Sequence, residues 1–164
     1  LRDGVDKLKG AVKFQEGNVS LGTDKQSWGA LTLAMQAIER AKRNTFIRLA
    51  ERDLETDPQC KVVICYNYLD NIHKTAKKLQ RFNPLVLTGE TTNDDDRWSL
   101  ITAFQEPSTR YRLFIMNTRV GATGIDLDDI DGNFPRKMYV VPTYNLIDIH
   151  SIFFQVFLII QYYY

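Results

Sequence analysis

Short, continuous runs of apolar residues alternate along the chain with segments of mixed polarity. The run CKVVICYNY at 60–68 is too continuous for a half-exposed strand and is typical of a strand covered on both faces. Further runs predict strands at 85–89 (LVLTG), 111–116 (YRLFIM) and 137–142 (KMYVVP). Helices are predicted between them, one at 69–81 and one that follows the acidic cluster Asp94–Asp96 and runs through Phe104. This order is that of connected βαβ units, so we expect an α/β fold with a parallel sheet flanked by helices.

The part of the chain before the first apolar run has a different pattern. Apolar side chains from Trp28 to Leu49 fall on one stripe at helical spacing and predict a long amphipathic helix over 26–55, with a break near Asn44 left open. Residues 1–22 contain four glycines and scattered charge, which indicates an irregular segment. The expected organisation is an irregular segment at 1–25, a helical lead-in at 26–57, an α/β domain at 58–150 and an apolar tail at 151–164.

Composition and charge limit the class of protein. With 164 residues, of which 44% are hydrophobic and 25% charged, the chain has the make-up of a globular protein with one sizeable core. The net charge of +1 neither indicates nor excludes a nucleic-acid partner, because charge can be concentrated on one face. The spacing of Cys60 and Cys65 suits neither a zinc site nor a disulfide framework. We therefore expect two reduced core cysteines, no metal site, no membrane partner and an intracellular location.

The loop NTRVGATGIDLDD at 117–129 directly follows the apolar run at 111–116. It contains Gly121 and Gly124, three residues apart, and then several acids. Glycine permits close approach of the backbone, and open α/β sheets place phosphates and riboses at the carboxyl ends of buried strands. Glycines at this spacing also occur in ordinary turns, so the loop alone leaves a nucleotide site and a plain turn both open.

Three stretches, taken in order, resemble a known protein family. KVVICYNYLDNI, LTGETTNDDDRWSLITAFQ and RLFIMNTRVGATGIDLDD are similar to motifs IV through V of the second RecA-like domain of superfamily 2 helicases and translocases. The most specific parts are the pair Arg97 and Phe104, and the pattern T-x-x-G-x-x-G-I-D that begins at Thr118. The resemblance covers residues 58–150. It implies a RecA-like domain with a parallel β-sheet flanked by helices, preceded by a long helix.

The resemblance also implies roles for individual residues of the glycine-containing loop. Thr118 corresponds to a threonine that contacts the nucleic-acid backbone, and its hydroxyl is chemically suited to a phosphate. Gly124 and Asp126 correspond to a glycine and an acid at the cleft between two RecA-like domains, where the acid contacts the ATP ribose. A carboxylate that accepts hydrogen bonds from ribose hydroxyls is a reasonable partner for the nucleotide.

Three further candidates occupy loop tips at the carboxyl edge of the predicted sheet. The resemblance implies that Asn67, Thr88 and Gly89 follow the nucleic-acid strand. Capping of the local turns by Asn67 and Thr88 is an equal alternative, because both residue types commonly do so. No catalytic residue is expected within this chain.

The chain departs from the family pattern in two places. No G-x-x-x-x-G-K-[ST] phosphate loop occurs in the sequence. ATP and magnesium are therefore expected to bind only together with a first RecA-like domain, and no cofactor is expected for the isolated chain. The family's motif VI supplies arginines that stabilise charge on the γ-phosphate, but no arginine follows Lys137 here. The isolated chain is expected to be inactive as an ATPase.

The tail SIFFQVFLIIQYYY at 151–164 stands where motif VI is expected and contains neither charge nor glycine. It is too short to span a membrane, which takes about 20 apolar residues. Two interpretations stay open: a buried closing strand, or the translation of an A/T-rich intron or a shifted frame. We favour the second.

The sequence predicts a fragment, the C-terminal RecA-like domain of an ATP-dependent nucleic-acid helicase or translocase. Its expected partners are a DNA or RNA backbone and a first RecA-like domain, with which it shares the ATP cleft. One alternative is a non-catalytic nucleic-acid-binding or vestigial regulator with the same fold, which would show salt-dependent binding without ATPase activity. Another is an unrelated α/β enzyme that binds a nucleotide at the same edge, because a fold does not fix a function.

Overall fold

The structure, a computed structural model, describes residues 12–15, 18–21, 25–121, 125–129 and 132–141, with side chains from residue 28 onward. The chain divides into two compact units, residues 1–44 and 45–164. In the first unit, β1 (Val12–Gln15) and β2 (Asn18–Leu21) form an antiparallel hairpin. The structure thus differs at 12–21 from the irregular segment that the glycines indicate, because strands of four residues leave little pattern in a sequence.

A single helix, α1 (Lys25–Thr56), follows the hairpin. It is continuous through Asn44, so the break that the sequence left open is absent. Leu31 lies on the predicted apolar stripe and is buried, whereas Trp28, on the same stripe, is 48% exposed. The stripe therefore predicts the helix but overstates how much of its first turns is covered.

The second unit is built on a sheet of parallel strands. Its strands within the described residues are β3 (Lys61–Tyr66), β4 (Leu85–Leu87), β5 (Leu113–Asn117) and β6 (Arg136–Val140). They are hydrogen-bonded in the order β4-β5-β3-β6, and each neighbouring pair is parallel. The connections contain α2 (Leu69–Lys78), a 3₁₀ turn (Gln80–Phe82), α3 (Asp94–Gln105) and the short α4 (Thr118–Gly121). The predicted α/β fold with a parallel sheet, flanking helices and a preceding long helix is confirmed.

Alternate residues of the central strands point to opposite faces of the sheet. Val62 and Ile64 of β3 pack with apolar residues of α1 and α2, among them Leu54 and Ile72. Val63 packs on the opposite face, in a second cluster. That cluster also contains Cys65, Phe114, Met116, Ile101, Phe104, Ile125 and Leu127. Helices therefore cover both faces, which explains why the strand sequences are continuously apolar.

The start of α3 is stabilised by an asparagine cap and by acidic side chains in the first turn. Asn93 is the N-cap, and its Oδ1 accepts a hydrogen bond of 3.0 Å from the backbone N–H of Asp95. Asp94, Asp95 and Asp96 occupy the first turn, where carboxylates interact favourably with the positive end of the helix dipole. The helix predicted to follow the acidic cluster thus begins within it, at Asp94, and the three acids form its first turn.

The carboxyl ends of α1 and α3 lack basic residues in their last turns and receive cations from distant strands instead. The buried Lys61 ammonium donates to the carbonyls of Phe104 (2.5 Å) and Glu106 (2.6 Å) at the end of α3. Burial, and secondarily the charge of Arg136, lowers the pKa of Lys61 to about 8. At the end of α1, the Arg112 guanidinium likewise donates a hydrogen bond to the carbonyl of Leu54. These bonds satisfy carbonyl groups that have no partner within their own helix.

A buried carboxylate connects α1 to strand β6. Asp53 is in contact with Arg52 (2.9 Å), Lys137 (3.1 Å) and the hydroxyl of Tyr139, which donates to its Oδ2. Burial opposes the charged form of Asp53, but hydrogen bonds from these three partners hold its pKa below the ordinary value. The helix and the strand are thus joined by a charge that is fully paired, as a buried charge requires.

Candidate nucleic-acid and nucleotide site

Three neighbouring strands bring most of the predicted site residues to one edge. Strands β4, β5 and β3 are adjacent and parallel, so the loops that follow them leave the sheet at the same carboxyl edge. Asn67 follows β3, Thr118 follows β5, and Thr88 with Gly89 follows β4. Parallel α/β sheets present ligand sites at this edge. The structure therefore places these four residues on the same side of the domain, as the sequence predicts.

Thr118, the first residue of α4, has an unusual environment. Its side chain is 1% exposed, and its Oγ1 is buried with no hydrogen-bond partner among the described residues. Leaving a buried hydroxyl without a partner costs on the order of 1–3 kcal/mol. Such unsatisfied groups are uncommon in folded proteins and are found at functional sites more often than elsewhere. A phosphate would reach this hydroxyl only after a local displacement of its surroundings.

Asn117, at the end of β5, is a site residue that the sequence analysis did not assign. Its Nδ2 donates to the backbone carbonyl of Asn67 (3.1 Å), and its Oδ1 accepts from the backbone N–H of Arg119 (3.0 Å). One amide therefore joins the loop after β3 to the first turn of α4. Asparagine directly before the motif threonine was a signal of such a cap, but the contact with Asn67, fifty residues away, leaves no trace in the sequence.

The loop after β4 is a tight turn around Thr88. Thr88 is buried, and its Oγ1 accepts a hydrogen bond from the backbone N–H of Glu90 (3.2 Å). The backbone carbonyl of Thr88 accepts a second hydrogen bond, from the backbone N–H of Thr91 (3.1 Å). This is the turn-capping geometry that the sequence left open for Thr88. Gly89 is exposed, and a Cβ atom there would meet nothing within 4 Å, so the space above this glycine is open.

Charge is distributed unevenly along the carboxyl edge. On the β4 side lie Glu90, which contacts His73 across 3.5 Å, and the exposed aspartates Asp94–Asp96. At the end of β5, Arg119 places an exposed guanidinium next to Thr118. Phosphate is repelled by the first set and attracted by the second, so the half of the edge formed by β5 and β3 is the more favourable for a polyanion.

Asp126 lies apart from the carboxyl-edge residues. Its backbone carbonyl accepts from Gln105 Nε2 (2.9 Å) at the end of α3, a helix that leads from the carboxyl edge back to the start of β5. Arg136, the first residue of β6, donates to the next carbonyl along, that of Leu127 (3.2 Å). The Asp126 side chain is exposed. Gly124, the other predicted nucleotide-binding residue, lies outside the described residues.

Asp126 and Asp128 form a closely spaced acid pair. The Oδ1 of Asp126 accepts from the backbone N–H of Asp128 (3.2 Å), and the Oδ1 of Asp128 is buried without a hydrogen-bond partner among the described residues. Burial first, and then a side-chain hydrogen bond between the two carboxyl groups and the negative charge of Asp126, raise the pKa of Asp128 to about 6. Carboxylates this close disfavour simultaneous ionisation.

The Asp128 pKa gives a pH-dependent stability prediction. Because the folded-state pKa is raised above the ordinary 3.8, the stabilisation from a protonated Asp128 is complete at low pH and is lost as pH rises through about 6. Asp128→Asn should therefore raise the free energy of unfolding at pH 7.5, by about 1 kcal/mol after allowance for solvent screening. Near pH 4 it should match the parent chain.

Thermal unfolding of both chains at the two pH values measures this difference. Asp94→Asn is the matched control, because it removes an exposed carboxylate that interacts favourably with the start of α3 and should give no gain at either pH. An Asp128→Asn chain that is no more stable than the parent at pH 7.5 contradicts the assigned pKa shift.

Asp126 offers an exposed carboxylate, the acceptor that ribose hydroxyls require. Among the described side chains, no group of three or more His, Cys, Asp or Glu residues is arranged to hold a metal ion. Within the same stretches, no helix combines the length and apolarity that crossing a membrane requires.

Comparison with known proteins agrees with this architecture. The family described as "Helicase conserved C-terminal domain" matches residues 41–132. The Sulfolobus solfataricus SWI2/SNF2 ATPase C-terminal domain is 16% identical with a TM-score of 0.53, over 93% of this chain and 78% of that one. No curated protein matches the chain.

Two other solved structures are similar over a smaller part of their own length. The C-terminal part of the Fun30 ATPase domain is 26% identical with a TM-score of 0.45, over 59% of this chain and 30% of that one. The Pyrococcus furiosus Hef helicase domain is 12% identical with a TM-score of 0.44, over 91% of this chain and 36% of that one. The chain thus spans about a third of the length of each of these two neighbours.

The parallel sheet in the order β4-β5-β3-β6, with helices on both faces, defines a RecA-like α/β domain. The family match covers more than half of the 164 residues. The chain belongs to the helicase conserved C-terminal domain family, and the resemblance to the second RecA-like domain of superfamily 2 helicases is confirmed.

Proposed function

We propose that this domain is the C-terminal half of an ATP-dependent nucleic-acid helicase or translocase, and that it grips the strand backbone at the carboxyl edge of its sheet. The observation that carries the proposal is the buried hydroxyl of Thr118, which has no hydrogen-bond partner among the described residues and is followed in the chain by the exposed Arg119. A hydroxyl donor and a cation are two groups that proteins direct at phosphate oxygens. An external phosphate would supply a hydrogen-bond partner that the described residues do not.

The charges along the edge indicate where the strand would run. The aspartates at the start of α3 and Glu90 oppose a phosphate near β4. A path over the ends of β5 and β3 keeps the phosphates near Arg119 and the polar loop at Asn67. In this arrangement Thr88 shapes the turn after β4, and Gly89, next to Glu90, lies at the margin of the path, where the open space above it leaves room for the nucleic-acid strand.

The contribution of this chain to the nucleotide cleft is assigned to Asp126, with Gly124. The Asp126 carboxylate would accept hydrogen bonds from ribose hydroxyls, while Gln105 and Arg136 hold the adjoining backbone. Bound together with magnesium and a first RecA-like domain, ATP would be hydrolysed between its β- and γ-phosphates. Because the 164-residue sequence contains no phosphate loop, we expect no ATPase activity from this chain alone.

Substituting Thr118 by valine tests the proposal, because valine keeps the shape and removes the hydroxyl. Affinity for a labelled single-stranded oligonucleotide should fall about tenfold, which corresponds to about 1.4 kcal/mol. Stability should rise by about 1 kcal/mol, since the unsatisfied hydroxyl is gone. Fluorescence anisotropy and thermal unfolding measure the two effects, and Thr118→Ser, which retains the hydroxyl, is the control.

Binding by the parent chain should weaken steeply as salt is raised, because phosphate contacts release counterions. Parent chain that shows no affinity for nucleic acid at low salt contradicts the proposal. So does a Thr118→Val chain that binds as tightly as the parent. Nucleic-acid-stimulated ATPase activity from the isolated chain would refute the assignment of this domain as half of the motor.

A further inference from the structure

Asn117 is the residue that connects the two loops of the proposed nucleic-acid surface. Strands β3 and β5 are neighbours, and their last residues, Tyr66 and Asn117, are directly opposite each other in the register. Beyond this pair the backbone ladder ends and the two chains separate into the Asn67 loop and α4. The Asn117 amide spans them, through Asn67 O on one side and Arg119 N–H on the other.

The two partners require both ends of the amide. Only a carbonyl oxygen can accept from the Arg119 N–H, and only an NH₂ group can donate to the Asn67 carbonyl, so the orientation of the side chain is determined by its neighbours. A shorter or purely accepting side chain would keep the bond to Arg119 and lose the bond to Asn67. The two halves of the contact can therefore be separated by substitution.

We propose that Asn117 is a positioning residue for nucleic-acid binding, holding the loop after β3 and the first turn of α4 as one surface. This inference rests on the proposed function. One N–H and one oxygen lone pair of the Asn117 amide are engaged within the protein, so we assign it to holding the two loops together rather than to contacting the phosphate. Asn117 acts by fixing the distance between the loop at Asn67 and the turn at Thr118 and Arg119. Because the binding groups are already held in place before nucleic acid binds, they lose less conformational entropy on binding.

Asn117→Ala and Asn117→Ser separate positioning from simple helix capping. Serine can cap α4 by accepting from the Arg119 N–H, but it has no donor that reaches the Asn67 carbonyl. We expect alanine to lower both the unfolding midpoint and the affinity for a labelled oligothymidine, the affinity about tenfold. Serine should restore most of the unfolding midpoint and leave the affinity as low as in the alanine variant.

Asn93→Ala is the matched control, because it also removes an asparagine that caps a helix start through a backbone N–H. It should lower the unfolding midpoint and leave oligothymidine affinity unchanged, measured at a temperature where every variant is folded. Full recovery of affinity by Asn117→Ser, or parent-like affinity of Asn117→Ala, overturns the inference alone. Absence of binding by the parent chain overturns the proposed function and this inference with it.

Discussion

Phe104→Ala is expected to lower the free energy of unfolding by about 3–5 kcal/mol, a large part of the stability of a domain of this size. Phe104 is fully buried and lies edge-on to Phe114, with ring centroids 5.2 Å apart. The Lys61 ammonium and the Arg136 guanidinium also lie over its ring, at 5.4 and 4.9 Å from the centroid. Alanine would leave a cavity among groups that cannot close around it.

Chemical denaturation measured on the parent and the variant tests this expectation. Trp98→Ala provides the control on the same helix, because this larger aromatic side chain is 62% exposed and its loss should change stability by no more than about 0.5 kcal/mol. Comparable losses at the two positions would contradict the packing described for α3. The structure gives the two members of the arginine–phenylalanine pair different environments: Phe104 belongs to the core, whereas Arg97 is partly exposed.

Arg112→Ala is expected to cost about 2–3 kcal/mol, the second largest effect, since hydrogen bonds from charged donors contribute about 1.5–3 kcal/mol. The guanidinium donates to three carbonyls where α1 ends: Leu54 (2.9 Å), Asp57 (2.9 Å) and Cys60 (3.3 Å). Removing it takes a charged donor away from all three carbonyls, of which only that of Asp57 keeps another recorded donor, the backbone N–H of Cys60, among the described residues. The helix end has no basic residue in its own last turn to replace it.

Arg110→Ala is the matched control for this prediction. Arg110 is two residues earlier, is exposed, and lies over the ring of Tyr111 at 5.0 Å, so its removal should change stability by less than about 0.5 kcal/mol. The comparison uses urea unfolding midpoints of the two variants and the parent. Equal midpoints for Arg112→Ala and Arg110→Ala would show that the bonds to the end of α1 carry no net stability.

The elements that the sequence predicts correctly are those whose signal is local and repeated. Strands β3 and β5 are covered on both faces and therefore read as unbroken apolar runs. The start of α3 is marked by a cap and acids within four residues. Helix α1 was predicted to within one residue at each end, although Trp28 is exposed where the stripe places it inward.

The features that the sequence could not predict depend on contacts between distant residues. Lys61 and Arg112 reach helix ends more than 40 residues away in the chain, and nothing in the local pattern marks either as a cap. The hydrogen bond from Asn117 to the carbonyl of Asn67 likewise joins residues that are far apart in the chain. For the candidate site, the sequence identified the loop tips but not the burial of the Thr118 hydroxyl, which arises only when the strands are assembled.

We propose that the ends of β5 and β3 form a nucleic-acid surface. Backbone amide chemical shifts of the ¹⁵N-labelled chain, followed while a single-stranded oligonucleotide is added at low salt, test this proposal. We expect the largest changes at Asn67, Asn117, Thr118 and Arg119, with smaller changes at Gly89, and we expect them to disappear when the salt concentration is raised. Changes confined to other surfaces, such as the exposed side of α3 around Trp98, or no changes at all, would contradict it.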